Sequence, residues 1–357
     1  MASMIIGHGF YLNDNNRLYT VIRADVSKEK ILAIKFKYLG DVAVCTPALR
    51  ALRAHFPTAE LHALVASDAV PLLENIPWLD RVWGIGRGKN GSQPGKLFAL
   101  IRKLRSERFT HSVDFVGNDR GAIFSRAIGA RYSIGLRIQR GPFWRRCCYS
   151  ETIEELDPNR HEAIRDIYAL KPLGIELPEN LSIETPHDPD LDETVPELAR
   201  NSVLVHCTSS QKKKEWSIEH LLKLHEMALE HGLHLVFSAG PEKREQGVLS
   251  SLRSRDETVR TLPVQTDLRR FVATVASCRA MVSVDTSVLH IAAGLKKPTI
   301  GLFGPTDSHR WGPLGESHVA LQGKHCACSG HNESCDLKSR CIDHISPKIV
   351  WEALEKL

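Results

Sequence analysis

The chain has 357 residues, 42% of them hydrophobic and 25% charged, with Lys and Arg exceeding Asp and Glu by five. That length suffices for two core-bearing domains of a soluble globular protein. No apolar run approaches the ~18 residues of a membrane span, the first thirty residues lack the apolar core of a secretory signal, and the mild positive charge suits an anionic small substrate or membrane face better than nucleic acid.

The expected compartment is therefore the cytoplasm. In chain order, residues 31–37 alternate and predict a strand. Thr46-Pro47 reads as an N-cap followed by proline at the first helical position. Leu49, Leu52 and Phe56 give that helix an apolar face, which Pro57 ends. A strand over 60–65, a helix over 96–107, a strand over 111–116 and a helix over 119–128 continue the pattern. Such alternation predicts a parallel sheet with helices on both faces. The proline- and acid-rich stretch 184–196 breaks it and reads as a linker. The pattern restarts with a strand over 202–207, a helix over 217–231 closed by Gly232, a strand over 233–239 and a helix over 266–278. An apolar run then ends at Asp285 and leads through Thr286 and Ser287 into a short apolar helix carrying His290. A last strand spans 298–304.

This organisation predicts an α/β protein with two Rossmann-like halves. Residues 1–30 form an extension, 31–183 the N-terminal domain, 184–200 the linker and 201–345 the C-terminal domain. A terminal helix spans 346–357, and packing back on the N-terminal domain is one option for it. The cleft between the carboxyl ends of the two sheets is the expected ligand site. Neither half carries G-x-G-x-x-G after its first strand and no P-loop occurs, which argues against a dehydrogenase and against a P-loop hydrolase.

Four places can carry chemistry, each with a bland alternative. Asp41, after Gly40, can serve as a general base or as a helix-capping acid; Gly40 lets the backbone turn or a ligand approach. Lys214, beside Trp216 in Lys212-Lys213-Lys214, can neutralise a phosphate or belong to a solvated charge run. Glu242 can accept from ribose hydroxyls or simply favour a helix N-terminus. Asp285, with the N–H groups from Thr286 and Ser287 onward, can hold sugar hydroxyls and a diphosphate, because a strand feeding a helix N-terminus presents free donors and a positive dipole end. His290 adds a donor there or is a core histidine. The loop Gly304-Pro305-Thr306-Asp307 reads as turn chemistry. Arg137, Arg140, Arg145 and Arg146, with Phe143 and Trp144 among them, form a segment that can hold acidic sugars or phosphates, or a solvated loop. Cys326, Cys328, Cys335 and Cys341 do not have a common zinc spacing and read as reduced thiols. Cys45, Cys147, Cys148, Cys207 and Cys278 read as small buried hydrophobes.

Taken together, Leu39-Gly40-Asp41 with Thr46-Pro47-Ala48-Leu49-Arg50, Lys214-Glu215-Trp216, Asp285 to Ala293 and Phe303 to Asp307 resemble the ADP-heptose:lipopolysaccharide heptosyltransferase family, glycosyltransferase family 9. The likeness runs from about Ile31 to the C-terminus and leans toward the enzymes that add the third, branching heptose. It implies a GT-B fold with an acceptor-binding N-terminal domain and a domain for the nucleotide-sugar. It implies inverting transfer of heptose from ADP-heptose to the inner core of lipopolysaccharide, with no metal or other cofactor, at the inner face of the inner membrane. Asp41 matches the family's base, Lys214 its diphosphate lysine, and Asp285, Thr286 and His290 its donor turn. Glu242 falls near the ribose acid, with Glu245 competing. Ser287 departs from the glycine of many members, so a side chain crowds the diphosphate or its hydroxyl replaces a hydrogen bond. The rival readings are transfer of another nucleotide-activated sugar to a different glycan, and nucleotide-sugar binding without transfer.

Overall fold

Strands with both faces covered dominate the centre of each half. The computed structural model describes residues 10–12, 18–20, 29–86, 93–137, 142–154, 159–324 and 340–357. A short antiparallel pair, β1 (Phe10–Leu12) and β2 (Leu18–Thr20), precedes the first sheet. That sheet contains β3 (Lys30–Lys35), β4 (Glu60–Ala66), β5 (Arg81–Ile85), β6 (His111–Asp114), β7 (Tyr132–Arg137) and β8 (Glu151–Glu154). Its order is β5-β4-β3-β6-β7-β8, all parallel. The second contains β9 (Val203–His206), β10 (Leu235–Ser238), β11 (Arg260–Thr261), β12 (Ala280–Val284), β13 (Thr299–Phe303) and β14 (His318–Gln322). Its order is β11-β10-β9-β12-β13-β14, again all parallel. In each sheet the chain builds outward in one direction, then returns to the middle and builds the other way. The two reversals lie between β3 and β6 and between β9 and β12, where open parallel sheets leave a crevice at their carboxyl ends.

Continuous burial explains the central strands. Ile31 to Lys35 and Ala280 to Val284 are buried throughout, as strands sandwiched between helix layers must be. The helices are α1 (Leu39–Val44), α2 (Thr46–His55), α3 (Pro94–Ser106), α4 (Asp119–Ile128), α5 (Glu162–Tyr168), α6 (Ile218–Glu230), α7 (Lys243–Arg255), α8 (Leu268–Ser277), α9 (Ser287–Gly294), α10 (Ser308–Trp311) and α11 (Pro347–Leu354). Each sheet has an apolar cluster on both faces. A further cluster joins the halves: Ala43, Val44, Leu72, Ala163 and Ile183 pack with Val272, Ile291 and Ala293. Helix α9 is buried on all sides from Val288 to Gly294 because it belongs to this junction as well as to its own sheet.

Several expectations are corrected. Asp41 lies in the first turn of α1 and not in a loop, because that helix starts at Leu39. Thr46 does not cap: Cys45 takes that position, and the Thr46 hydroxyl donates to the carbonyl of Ala43 while accepting from the N–H of Glu184. The terminal helix α11 packs on α6 and the core of the second sheet through Val350, Trp351, Ala353 and Leu354. Cys45, Cys207 and Cys278 are buried as expected, but Cys147 is exposed and Cys148 half-buried. Cys326, Cys328 and Cys335 lie outside the described residues; Cys341 is buried. Stretches 184–196 cross between the halves in an extended path with a 3-10 turn over Pro189–Thr194.

Two histidines make the fold acid-sensitive. Burial pushes His206, on β9, and His290, on α9, each down to about 4 from 6.5. Both are neutral in the folded chain above that pH, whereas an unfolded chain protonates near 6.5. Stability is therefore lost as pH falls from about 6.5 to 4, by about 3 kcal/mol per histidine. Denaturant titrations near pH 7 and near pH 4 should show this, and His206→Asn should reduce the difference between them. An equal difference in that variant would clear His206 of the effect.

Candidate active site

The two sheet reversals put the predicted residues on facing walls. Asp41 follows β3, at the reversal of the first sheet. Lys214 follows β9 and Asp285 follows β12, the two strands that flank the reversal of the second. Lys214 Nζ reaches Asp285 Oδ2 at 2.6 Å, so one ion pair spans that reversal. The walls touch at Gly40. A Cβ there would stand 3.1 Å from His290 Cδ2 and 3.4 Å from the Ser287 Cα, so the missing side chain admits the opposite helix rather than a turn. Asp41, its neighbour, is 9% exposed.

The wall of the second sheet is built by local capping and by the chain's last elements. Thr286 is the N-cap of α9, with extended backbone and no side-chain capping bond, so its side chain leaves the first-turn N–H groups at Ser287 and Val288 uncapped. Ser287 is half-buried. His290 lies on the following turn, 2% exposed, and its Nδ1 has no hydrogen-bond partner among the described residues. Burial lowers its pKa, with Asp285 partly opposing, so the ring is neutral and offers one donor and one acceptor. The Lys214 loop is clasped from behind. Trp216 Nε1 donates to the Ile345 carbonyl at 3.0 Å, and the Ser217 N–H donates to Asp343 Oδ1 at 3.0 Å. Gln211, Lys213, Lys214, Pro305, Thr306, Asp307, Arg310 and Trp311 line a cavity of about 340 Å³ in front of that loop.

Not every expected residue converges there. Glu242 is exposed at the start of α7 and makes no capping bond. Glu245, one turn on, is buried and leans over Gly240, where a Cβ would meet its carboxylate. Asp307 caps α10, its side chain accepting from the His309 N–H, as turn chemistry requires. Of the four arginines, Arg145 is engaged with Asp119 at 2.5 Å and with the Gly117 carbonyl at 3.2 Å. Arg146 stacks over Phe143 at 5.6 Å. Arg137 ends β7, and Arg140 lies outside the described residues.

Sequence reasoning missed a charged knot beneath Asp41. Glu162, on α5, is wholly buried. Its Oε1 faces Arg165 at 2.6 Å, Lys37 at 3.4 Å and Lys35 at 3.8 Å, while Oε2 faces Arg310 of the opposite wall at 3.1 Å. Burial opposes ionisation, but Lys35 and then Arg165, Lys37 and Arg310 hold the carboxyl well below the usual range. Lys37 Nζ also lies 3.4 Å from Asp41 Oδ1. Lys37 stood inside the motif around Asp41, and Arg310 three residues past the Asp307 loop; neither spacing names its partner.

The model of glycosyltransferase family 9 (heptosyltransferase) matches residues 97–339. The chain belongs to that family. It is a glycosyltransferase, and it is similar to lipopolysaccharide heptosyltransferase 3 of Escherichia coli, with 24% identity over 79% of this chain and 86% of the relative. Lipopolysaccharide heptosyltransferase 2 of Escherichia coli K12 is 22% identical over 92% of this chain and 98% of its own length. Among solved structures, a family 9 glycosyl transferase from Veillonella parvula superposes with a TM-score of 0.76 at 19% identity, covering 92% of this chain and 96% of that one. The E. coli heptosyltransferase WaaC with ADP gives 0.75 at 19% identity, over 92% and 99%. This glycosyltransferase therefore has the two-sheet α/β architecture of the GT-B enzymes.

Proposed function

We propose that this glycosyltransferase moves heptose from ADP-heptose to the inner core of lipopolysaccharide, with inversion and without a metal ion. The observation that carries the reading is the facing of Asp41 and the Lys214–Asp285 pair across the Gly40–His290 contact. The E. coli relatives named for lipopolysaccharide heptosyl transfer support the substrate class. So does the fold shared with an E. coli heptosyltransferase solved with ADP-2-deoxy-2-fluoro heptose, with a TM-score of 0.72. Asp41 takes the proton of an acceptor hydroxyl as its oxygen bonds to the anomeric carbon. The anomeric bond to the diphosphate breaks on the opposite face, and ADP leaves. Lys214 and the first-turn N–H groups of α9 meet the charge that develops on the leaving diphosphate, and Arg310 adds a cation at the same cavity. Fixed cations and dipoles of this kind supply the stabilisation a metal would otherwise give. In this reading Thr286, Ser287 and His290 shape the donor pocket and Asp285 holds sugar hydroxyls. Glu245 is better placed than Glu242 to meet the ribose.

Mass analysis of the product after mixing ADP-heptose with truncated lipopolysaccharide cores tests the whole reading. A gain of one heptose is expected. No transfer from ADP-heptose, with transfer from another nucleotide-sugar, would replace the donor. Binding without any transfer would leave a binding protein.

The acceptor side and the membrane go together in this proposal. No helix among the described residues is long and apolar enough to cross a membrane. Phe98 and Phe143 are 71% and 73% exposed, and Ile123 and Trp144 are exposed beside them on adjoining elements. Lys96, Arg102, Lys103 and Arg105 stud α3, which contains no acid. An apolar rim set among cations suits peripheral contact with an anionic bilayer. Neutralising Arg137, Arg140, Arg145 and Arg146 together should raise the KM for the acceptor about tenfold while that for the donor stays put, since four exposed charged contacts at ~0.3–0.4 kcal/mol each sum to ~1.4 kcal/mol. An unchanged acceptor KM removes the segment from acceptor binding.

A further inference from the structure

The knot at Glu162 joins three things that chemistry at Asp41 needs, and it does so with a single carboxylate. Its two oxygens are divided between the walls of the cleft. Oε1 takes the cations of the N-terminal half, Lys37 and Arg165 foremost, and Oε2 takes Arg310, which also lines the cavity beside Lys213 and Lys214. Four cations, Lys35, Lys37, Arg165 and Arg310, surround the three carboxylates Asp41, Glu162 and Asp166. Lys35 is occupied by Asp166 at 2.6 Å, which leaves Lys37 as the cation shared by Glu162 and Asp41. Lys37 is partly exposed, so it is held in place by its partners and not by packing. A flexible ammonium with four rotatable bonds keeps one position only where fixed charges demand it. Glu162 is fixed: it is fully buried, on a helix packed against α1 and α2.

We infer that Glu162 is a positioning residue of the transfer centre, which sets Lys37 against Asp41 and, by gripping Arg310, makes that setting depend on the two halves being together. The inference rests on Asp41 being the base. Glutamine in place of Glu162 keeps the shape but turns an NH2 toward one of the two sets of cations, so it cannot satisfy both walls.

The test is a double-mutant cycle on the full chain, with kcat and the KM for ADP-heptose read separately and ADP affinity measured by calorimetry. Glu162→Gln and Lys37→Met should each lower kcat about tenfold, and the double variant should be no more than about twofold worse than either, because both remove the same contact. Lys37→Arg should recover most of the loss, and ADP affinity of the Lys37 variants should stay within about twofold of the parent. A residue that merely stabilised the fold would lower kcat by the same factor in either background. Multiplying effects, or an unchanged kcat in Lys37→Met, overturns the inference. Should Glu162→Gln fail to fold, the Lys37→Met and Lys37→Arg pair decides alone. Failure of the base reading looks different: Asp41→Asn would then keep its turnover. If Asp41→Asn loses turnover while Lys37→Met keeps it, only the positioning role falls.

Discussion

If Asp41 is the base, replacing it by alanine should lower turnover by about 10²–10⁴-fold, the contribution of a positioned base, with the affinity for ADP nearly unchanged. Turnover should fall because no other carboxylate described at that wall is available to take the proton. Glu162 is buried and gripped by cations from both halves, and Asp166 is closed off by Lys35. Affinity is spared because Asp41 belongs to the first sheet, whereas Lys214, Asp285 and the start of α9 belong to the second. The variant should fold. Asp41 has Lys37 as an ion-pair partner at 3.4 Å, and loss of an acid from a helix's first turn costs about 0.3–1 kcal/mol. Acceptor-dependent ADP release, set beside calorimetric ADP binding, makes the measurement. Near-normal release from the alanine variant would remove Asp41 from the role of base.

Lys214→Met has its largest effect on the donor side. The lysine neutralises Asp285 at 2.6 Å, and the Asp285 side chain is only 8% exposed. Without the ammonium, a mostly buried carboxylate stands unpaired beside the place where the diphosphate would sit. Truncating one partner of such a pair costs about 2–5 kcal/mol, which is about 30-fold to several thousandfold in kcat/KM. Lys214→Arg keeps the charge and should lose far less. Lys212, two residues earlier and exposed, is the control: Lys212→Met should leave kcat/KM within about twofold, as surface substitutions away from such contacts do. Equal losses at both positions would reduce the three lysines to a general electrostatic field. Retention of kcat/KM in Lys214→Met would remove it from donor binding.

What the sequence made legible follows from periodicity. Runs such as Ile31 to Lys35 and Val282 to Val284, each followed within a few residues by a helix, identify central parallel strands and the connections at their carboxyl ends. Asp41, Lys214 and Asp285 could be named as candidates because each closely follows a central strand. The edge strands β5, β8, β11 and β14 were harder, since they are only two to five residues long and expose part of their length, which leaves a weak pattern. Glu162 was out of reach for another reason. Its partners Lys37 and Arg310 lie 125 and 148 positions away, and ion pairs between segments so distant in sequence leave no local pattern. Gly40 shows the limit at a single residue. Its sequence context announced a need for closeness, but the group that comes close is His290 from the other half. The choice between Glu242 and Glu245 likewise depended on which side of a helix's first turn faces Gly240, a matter of one helical turn that spacing from the strand does not settle.

The clasp behind the Lys214 loop bears on how the chain can be cut and joined. Both sheets are complete by Gln322, so a stop codon before Arg340 would still encode every strand. It would nonetheless delete the carbonyl that receives Trp216, the carboxylate that receives the Ser217 N–H, and the Val350 and Trp351 side chains that α6 packs against. A shortened chain of that kind keeps the strands of both sheets but loses part of the second sheet's core together with the clasp on the loop that presents Lys214. A tag appended after the exposed Leu357 leaves the clasp whole, so extension there should be tolerated where removal of residues 340–354 is not.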